Sequence, residues 1–265
     1  MTTHATPAAA TSHAAHITDQ FTRQAEIFAR SRALHNKAAL DLLVDAARPA
    51  PADVSLDVAC GPGSVALAFA ERVAHASGLD ATEAMLDQAR KAASEAAIAN
   101  VSWHRGDAYA LPFAAASFDI VSCRFTMHHL EQPARAFAEM VRVCRPGGRV
   151  VLCDAMASDD EAKAAAFNAM ERHRDPSTVQ FRMLGYLREM FPVAGLPLPE
   201  ESFFAVPFTL QEMVTRSFPV GDDREQLRAT LAASVDGDAL GMDARREGDT
   251  VRFAYQSVVL VAVKG

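Results

Sequence analysis

A strand-like run, Val54–Val58, leads directly into Ala59-Cys60-Gly61-Pro62-Gly63, and Asp80 comes nineteen positions after Gly61. This combination constrains the fold more than any other part of the chain. The glycines allow tight φ/ψ values and a close approach of a ligand to the backbone. Ser64–Arg72 then reads as a helix, whose first turn offers free N–H groups and the positive end of a dipole. An acidic residue about twenty positions on, at the end of the next strand, is suited to a ribose diol. The chain is therefore expected to bind a nucleoside-containing cofactor.

The dinucleotide fingerprint G-x-G-x-x-G tolerates Ala66 at its third position, so an NAD-dependent oxidoreductase is the fold-level rival. Asp57 argues against it. A carboxylate at the end of the first strand repels a pyrophosphate and welcomes an amino group. Asp57-Val-Ala-Cys-Gly-Pro-Gly63 resembles motif I of the class I S-adenosylmethionine (SAM) methyltransferases, D-x-G-x-G-x-G, with Ala59 in place of the first glycine. The likeness continues in order along the chain. Gly78-Leu-Asp-Ala-Thr-Glu-Ala-Met-Leu86 resembles the second-strand motif, and Gly106-Asp-Ala-Tyr-Ala-Leu-Pro-Phe113 the adenine-contacting loop. Ser117–Val121 resembles the fourth strand. Met127-His-His-Leu130 and Arg142–Val150 match the segment between that strand and the fifth. The nearest group is that of the small-molecule enzymes related to the ubiquinone and menaquinone C-methyltransferases.

This resemblance implies a Rossmann-like α/β fold. Seven strands form a mostly parallel sheet with the last one antiparallel, and helices cover both faces. It places Asp57, Ala59, Cys60, Gly61 and Gly63 around SAM, with Asp80, Ala81 and Met85 at the ribose. Gly106, Asp107 and Ala108 lie at the adenine, and Arg124 at the cofactor carboxylate or the acceptor. The product is S-adenosylhomocysteine.

The patterning agrees with alternating strands and helices. Helices are expected over Asp19–Ala29, Lys37–Ala47, Ser64–Arg72, Thr82–Ala97, Gln132–Cys144, Asp159–Arg174 and Phe181–Phe191. Strands are expected over Val54–Ala59, Ala74–Leu79, Val101–His104, Phe118–Arg124, Arg149–Asp154, Ser202–Val206 and Val251–Val263. Residues 1–17 read as a disordered lead-in and 18–265 as the methyltransferase domain. Residues 18–50 form its N-terminal helices and 155–200 a helical cap, with 207–245 left unassigned.

Methyl transfer needs an aligned nucleophile, exclusion of water and, for a protonated nucleophile, a base. His128 and His129 come after the fourth strand and Asp154 ends the fifth. The expectation is that His128 is the base, that Asp154 orients it and that His129 is the alternative. The bland alternative is a His pair that shapes the pocket. Tyr109 and Phe125 could flank adenine or acceptor, or pack in the core. Arg30, Arg32 and His35 fall in the family's lid region. His173, Arg174 and Asp175 could line the acceptor mouth or simply end a helix. Phe167, Met170, Met183, Met190, Phe191, Phe203, Phe204 and Phe208 could wall an aromatic or prenylated acceptor, or form core. No His or Cys spacing suggests a metal. Cys60, Cys123, Cys144 and Cys153 read as buried reduced thiols of a cytosolic protein.

The formal net charge of −7 over 265 residues disfavours nonspecific nucleic-acid binding. An N/D-P-P-Y/F motif is absent after strand four, where the chain reads Arg124-Phe-Thr-Met-His. Both points stand against nucleic acid; a small aromatic or heterocyclic acceptor at O, N or C is the leading expectation, with RNA or protein as the alternative. A non-catalytic SAM binder is the third possibility. No apolar run reaches eighteen residues, so no transmembrane helix is expected. The oligomeric state stays open between monomer and homodimer.

Overall fold

A computed structural model describes residues 13–29 and 36–265. The first strands are β1 (Val54–Val58), β2 (His75–Asp80), β3 (Val101–Arg105), β4 (Phe118–Arg124) and β5 (Cys144–Ala155). Further on come β6 (Glu200–Thr209), β7 (Arg245–Glu247) and β8 (Thr250–Val263). They form one sheet in the order β3-β2-β1-β4-β5-β8-β6, with β7 hairpinned onto β8. β1 to β5 pair in parallel, and β8 runs antiparallel to β5, β6 and β7. The expected seven-strand path is present. The eighth strand is the short β7, made by the Gly248-Asp249 turn, in which Gly248 has φ 59°.

β1 and β4 carry near-continuous burial because helices cover both faces of the sheet. On one face, α2 (Lys37–Ala46) and α3 (Ser64–Ala70) bury Leu43, Val44, Val65 and Phe69 against Ile120, Val151 and Val259. On the other, α5 (Pro133–Val143) and α7 (Leu184–Val193) bring Phe137, Met140, Met190 and Phe191 onto Val121, Leu152 and Leu260. Pro133 opens α5, where its missing N–H costs nothing. A third core lies under α6 (Glu161–Arg174), α8 (Leu210–Arg216) and α9 (Arg224–Ala233). There Phe167, Phe181, Phe208, Leu227 and Phe253 pack together. The segment 207–245, opaque in the sequence, supplies α8 and α9. A capping box closes the start of α8, with Thr209 and Glu212 bonding each other's backbone.

Several boundaries differ from expectation. β5 begins at Cys144 rather than Arg149, because the Arg145–Gly148 stretch runs extended with Gly147 at φ 77° and a register shift opposite Phe118–Ile120. α7 begins at Leu184, not Phe181, since the Phe181 backbone is held at both ends by Asn168. Asn168 Oδ1 accepts from Phe181 N at 2.7 Å, and its amide donates to Phe181 O at 3.1 Å. The first helix, α1, spans His13–Ala29. Residues 13–17 are therefore helical where a disordered lead-in was expected. Residues 1–12, and Arg30, Arg32 and His35, lie outside the described residues. Phe167, Met170, Met190, Phe191 and Phe208 are buried core rather than an acceptor wall, while Phe203 is 56% exposed. Among the described residues, no helix is long and apolar enough to cross a membrane.

Candidate active site

The β1 strand ends in a turn built on three left-handed residues, Ala59 (φ 55°), Gly61 (φ 52°) and Gly63 (φ 86°). The turn is stitched down by Cys60 N donating to Leu79 O at 2.9 Å and Gly63 N donating to Cys60 O at 3.0 Å. The two glycines serve different ends. A Cβ on Gly61 would meet nothing within 4 Å and would project into open space. A Cβ on Gly63 would sit 2.5 Å from the Trp103 ring. Gly78 is equally constrained, with Trp103 at 2.5 Å and Cys60 Sγ at 2.8 Å from its Cβ position. Gly61 thus keeps space open, while Gly63 and Gly78 let the turn lie flat on Trp103. Gly63 was expected at the cofactor, but it does not line the cavity.

Asp80 holds this turn from β2. Its carboxylate accepts from Gly61 N at 2.9 Å and from Thr82 N at 2.9 Å. Burial raises its pKa above the ordinary carboxylate value despite these bonds. Asp57, next to the turn, is fully enclosed. Its Oδ1 accepts from Ser122 Oγ at 2.9 Å. Burial pushes its pKa up to about 7, against the opposing Ser122 bond and the Arg124 charge. Two carboxylates deprived of water lie side by side, an arrangement that a cation or a polyhydroxyl ligand relieves.

These residues line a cavity of about 400 Å³ at the carboxyl ends of β1, β2 and β4. This is where open α/β sheets bind ligands, beside the switch in strand order. Asp57, Ala59, Cys60, Gly61, Asp80, Ala81, Met85, Gly106, Asp107, Ala108 and Arg124 all line it, as do Tyr109 and Phe125. The sequence reading missed the opposite wall, His13, Ile17, Thr18 and Phe21 from α1, with Leu130 and Glu131 beyond. The i, i+4, i+8 spacing of His13, Ile17 and Phe21 places them on one helical face, and that spacing was readable. α1 is tied down where His13 Nε2 lies 2.7 Å from the His129 carbonyl oxygen. Phe21 packs edge-on against the His129 ring at 4.9 Å.

The two histidines differ. His128 Nδ1 lies 2.7 Å from Asp154 Oδ1, and His128 N donates to Asp154 Oδ2 at 3.2 Å. The expected His–Asp pair therefore forms. Its ring, however, stacks on Phe181 at 4.0 Å with a 13° tilt and does not line the cavity. The 3₁₀ turn Met127–His129 directs His128 inward and its neighbour outward. His129 lines the cavity, and burial beside His128 lowers its pKa to about 3, so the ring is neutral at physiological pH. Arg124 is buried, and burial lowers its pKa from the usual guanidinium value. His173, Arg174 and Asp175 stand away from the cavity lining, at the end of α6. The four cysteines are buried free thiols, and burial pushes the Cys60 thiol well up.

Residues 56–152 match the family model described as a methyltransferase domain. Over 246 residues, 92% of this chain and 97% of the relative, the sequence is 28% identical to YcgJ, an uncharacterized methyltransferase of Bacillus subtilis (strain 168). The crystal structure of YcgJ superposes with a TM-score of 0.78 at 29% identity, covering 86% of this chain and 98% of that one. A demethylmenaquinone methyltransferase of Listeria monocytogenes serotype 4a (strain HCC23) is 32% identical over 161 residues, 53% of this chain and 68% of that protein. The geranyl diphosphate C-methyltransferase of Streptomyces coelicolor A3(2), solved with Mg²⁺, geranyl diphosphate and S-adenosylhomocysteine, shares the fold. Its TM-score is 0.62 at 14% identity over 86% of this chain and 78% of that one. The chain belongs to the class I SAM-dependent methyltransferases. SAM is its cofactor, and the site fits it, with open space at Gly61 and two desolvated carboxylates beside a largely apolar cavity.

Proposed function

We propose that this enzyme methylates a small, neutral, largely apolar aromatic or heterocyclic acceptor, with His129 as the base. The observation that carries this reading is the position of His129 in the cavity wall between the glycine turn and the apolar face of α1. Bound in the cavity, SAM supplies a methyl group on a positively charged sulfur. On this reading Asp57 attracts the amino group of the cofactor, Asp80 the ribose hydroxyls and Asp107 the adenine amine. Ile17, Phe21, Phe125 and Leu130 offer the acceptor an apolar seat. Arg124 is the one Lys or Arg among the described lining residues, which disfavours a phosphorylated acceptor. The demethylmenaquinone relative agrees with a quinol-like ring.

His129 enters the reaction neutral, with a lone pair to accept a proton. It is a weak base, and a weak base suffices. A phenol oxygen or ring carbon grows steadily more acidic as the methyl group arrives, so a base of this strength can take its proton in the transition state. α1 closes the cavity and keeps water from the transferring methyl group.

The test is incubation with methyl-labelled SAM and the organic-soluble and macromolecular fractions of a cell extract, supplied separately. Label in an organic-soluble product supports the reading, and mass spectrometry then gives the acceptor and the methylated atom. Label in RNA or protein overturns it. His129→Ala is expected to lower transfer by roughly a hundredfold or more, with little change in SAM affinity.

A further inference from the structure

We infer that Asp175 and Ser177 are positioning residues that fix the protonation pattern of His129, a role that rests on His129 being the base. His129 Nδ1 lies 3.1 Å from the Ser177 carbonyl oxygen and 3.1 Å from Ser177 Oγ. A carbonyl oxygen only accepts, so Nδ1 must carry the hydrogen. The Ser177 hydroxyl has its one hydrogen committed elsewhere, because Oγ donates to Asp175 Oδ1 at 2.6 Å. Oγ therefore also faces Nδ1 as an acceptor. Both acceptors point the same way, and the neutral ring is left with its bare lone pair on Nε2.

Asp175 builds the turn that makes this possible. Its Oδ1 also accepts from Ser177 N at 2.9 Å, and its backbone carbonyl accepts from Thr178 N at 2.9 Å. The turn is then clamped to the histidine pair, with Val179 N at 2.9 Å and Gln180 N at 3.0 Å donating to His128 O. Ser177 is fully buried and Asp175 is 2% exposed. Burial alone would raise the Asp175 pKa. The facing His129, the Arg174 charge and the Ser177 bonds outweigh it and hold the carboxyl below its ordinary value. The charged or titratable groups facing His129 are thus Asp175 behind it, His128 and Asp154 beside it, and His13 of α1. When Nε2 takes a proton, the resulting positive ring keeps its Nδ1–H on Ser177 and faces the Asp175 charge through it.

The test is the tautomer of His129, read from long-range ¹H–¹⁵N spectra of histidine-labelled full-length protein, with the signal assigned by its loss in His129→Gln. The wild type should show hydrogen on Nδ1 and a bare Nε2. Asp175→Ala, which frees the Ser177 hydroxyl to donate to Nδ1 and loosens the turn that aims the Ser177 carbonyl, should populate the Nε2–H form, whereas Ser177→Ala keeps that carbonyl and should keep Nδ1–H. Asp175→Asn, whose amide oxygen still accepts both Ser177 bonds, should restore the wild-type pattern. Label transfer to the organic fraction should fall about tenfold or more in Asp175→Ala, with SAM affinity kept within about twofold. If Asp175→Ala does not fold, the wild-type tautomer and its retention in Asp175→Asn and Ser177→Ala carry the readout. An undisturbed Nδ1–H form in Asp175→Ala, or an Nε2–H form in the wild type, overturns the inference. If His129→Ala transfers label at the wild-type rate, the base reading falls, and the inference with it. If His129→Ala is inactive while Asp175→Ala transfers label at the wild-type rate, only the positioning role falls.

Discussion

Replacing Asp57 with asparagine should make the ligand-free protein more stable above neutral pH while weakening its hold on SAM. The carboxyl is enclosed and titrates at about 7 rather than at the ordinary aspartate value of 3.8. A folded-state pKa raised in this way means that the fold prefers the neutral acid. The associated stability is fully present below about pH 4 and is lost as pH rises through 7. A difference of about three units corresponds to at most ~4 kcal/mol lost by pH 8. Asparagine carries no such charge, and its Oδ1 still accepts from Ser122. If half of that ceiling is realised, the variant melts about 4–8 °C above wild type at pH 8. At pH 4.5 the gap should nearly close. SAM should behave in the opposite way. An ammonium beside Asp57 favours its ionised form, so wild-type affinity should rise about tenfold per unit from pH 5.5 to 7 and then level off. In Asp57→Asn that slope should vanish. Differential scanning fluorimetry and calorimetric titration across pH 4.5–8.5 measure both. A melting difference that does not change with pH, or a pH slope retained in the variant, would refute the reasoning.

Asp80→Ala frees Gly61 N and Thr82 N inside the site and removes the expected diol acceptor. SAM affinity should drop by about 2 kcal/mol or more, read by calorimetry. Gly61→Ala and Gly78→Ala should part company. The first costs only the left-handed strain, about 1–2 kcal/mol, but weakens SAM, because its methyl enters the cavity. The second overpacks Trp103 and Cys60 and should cost roughly 1–3 kcal/mol of stability in chemical denaturation. Arg174→Met leaves Glu171 buried without its 2.7 Å ion pair, although Tyr255 still bonds it. Urea unfolding should show a loss of about 3–5 kcal/mol.

The sheet was legible because its signals are local. Gly61, Gly63 and Asp80 declare the first βαβ unit, and Pro133 and Gly147 bracket α5. The cavity lining beside the glycine turn shared this legibility, since its residues sit within a few positions of a strand end. The histidine side did not. His128 and His129 are adjacent and chemically identical, and only the 3₁₀ turn and the Phe181 ring decide which faces the cavity. Ser177 reaches His129 across 48 positions, through a turn that no periodicity announces. The α1 wall was overlooked because the small residues before Asp19 hide the stripe of His13, Ile17 and Phe21. Residues 207–245 resisted assignment because β6 passes through Pro207 straight into a capped helix.

Trp103 is the one tryptophan of the chain, and its ring lies beneath Gly63 and Gly78. The protein therefore carries a single intrinsic indole fluorophore, placed under the cofactor turn and away from the cavity wall. Any tightening of that turn alters the surroundings of the indole without contact between indole and ligand. Its emission should follow any such change, which gives an optical test of cofactor binding on the unmodified protein that needs no acceptor.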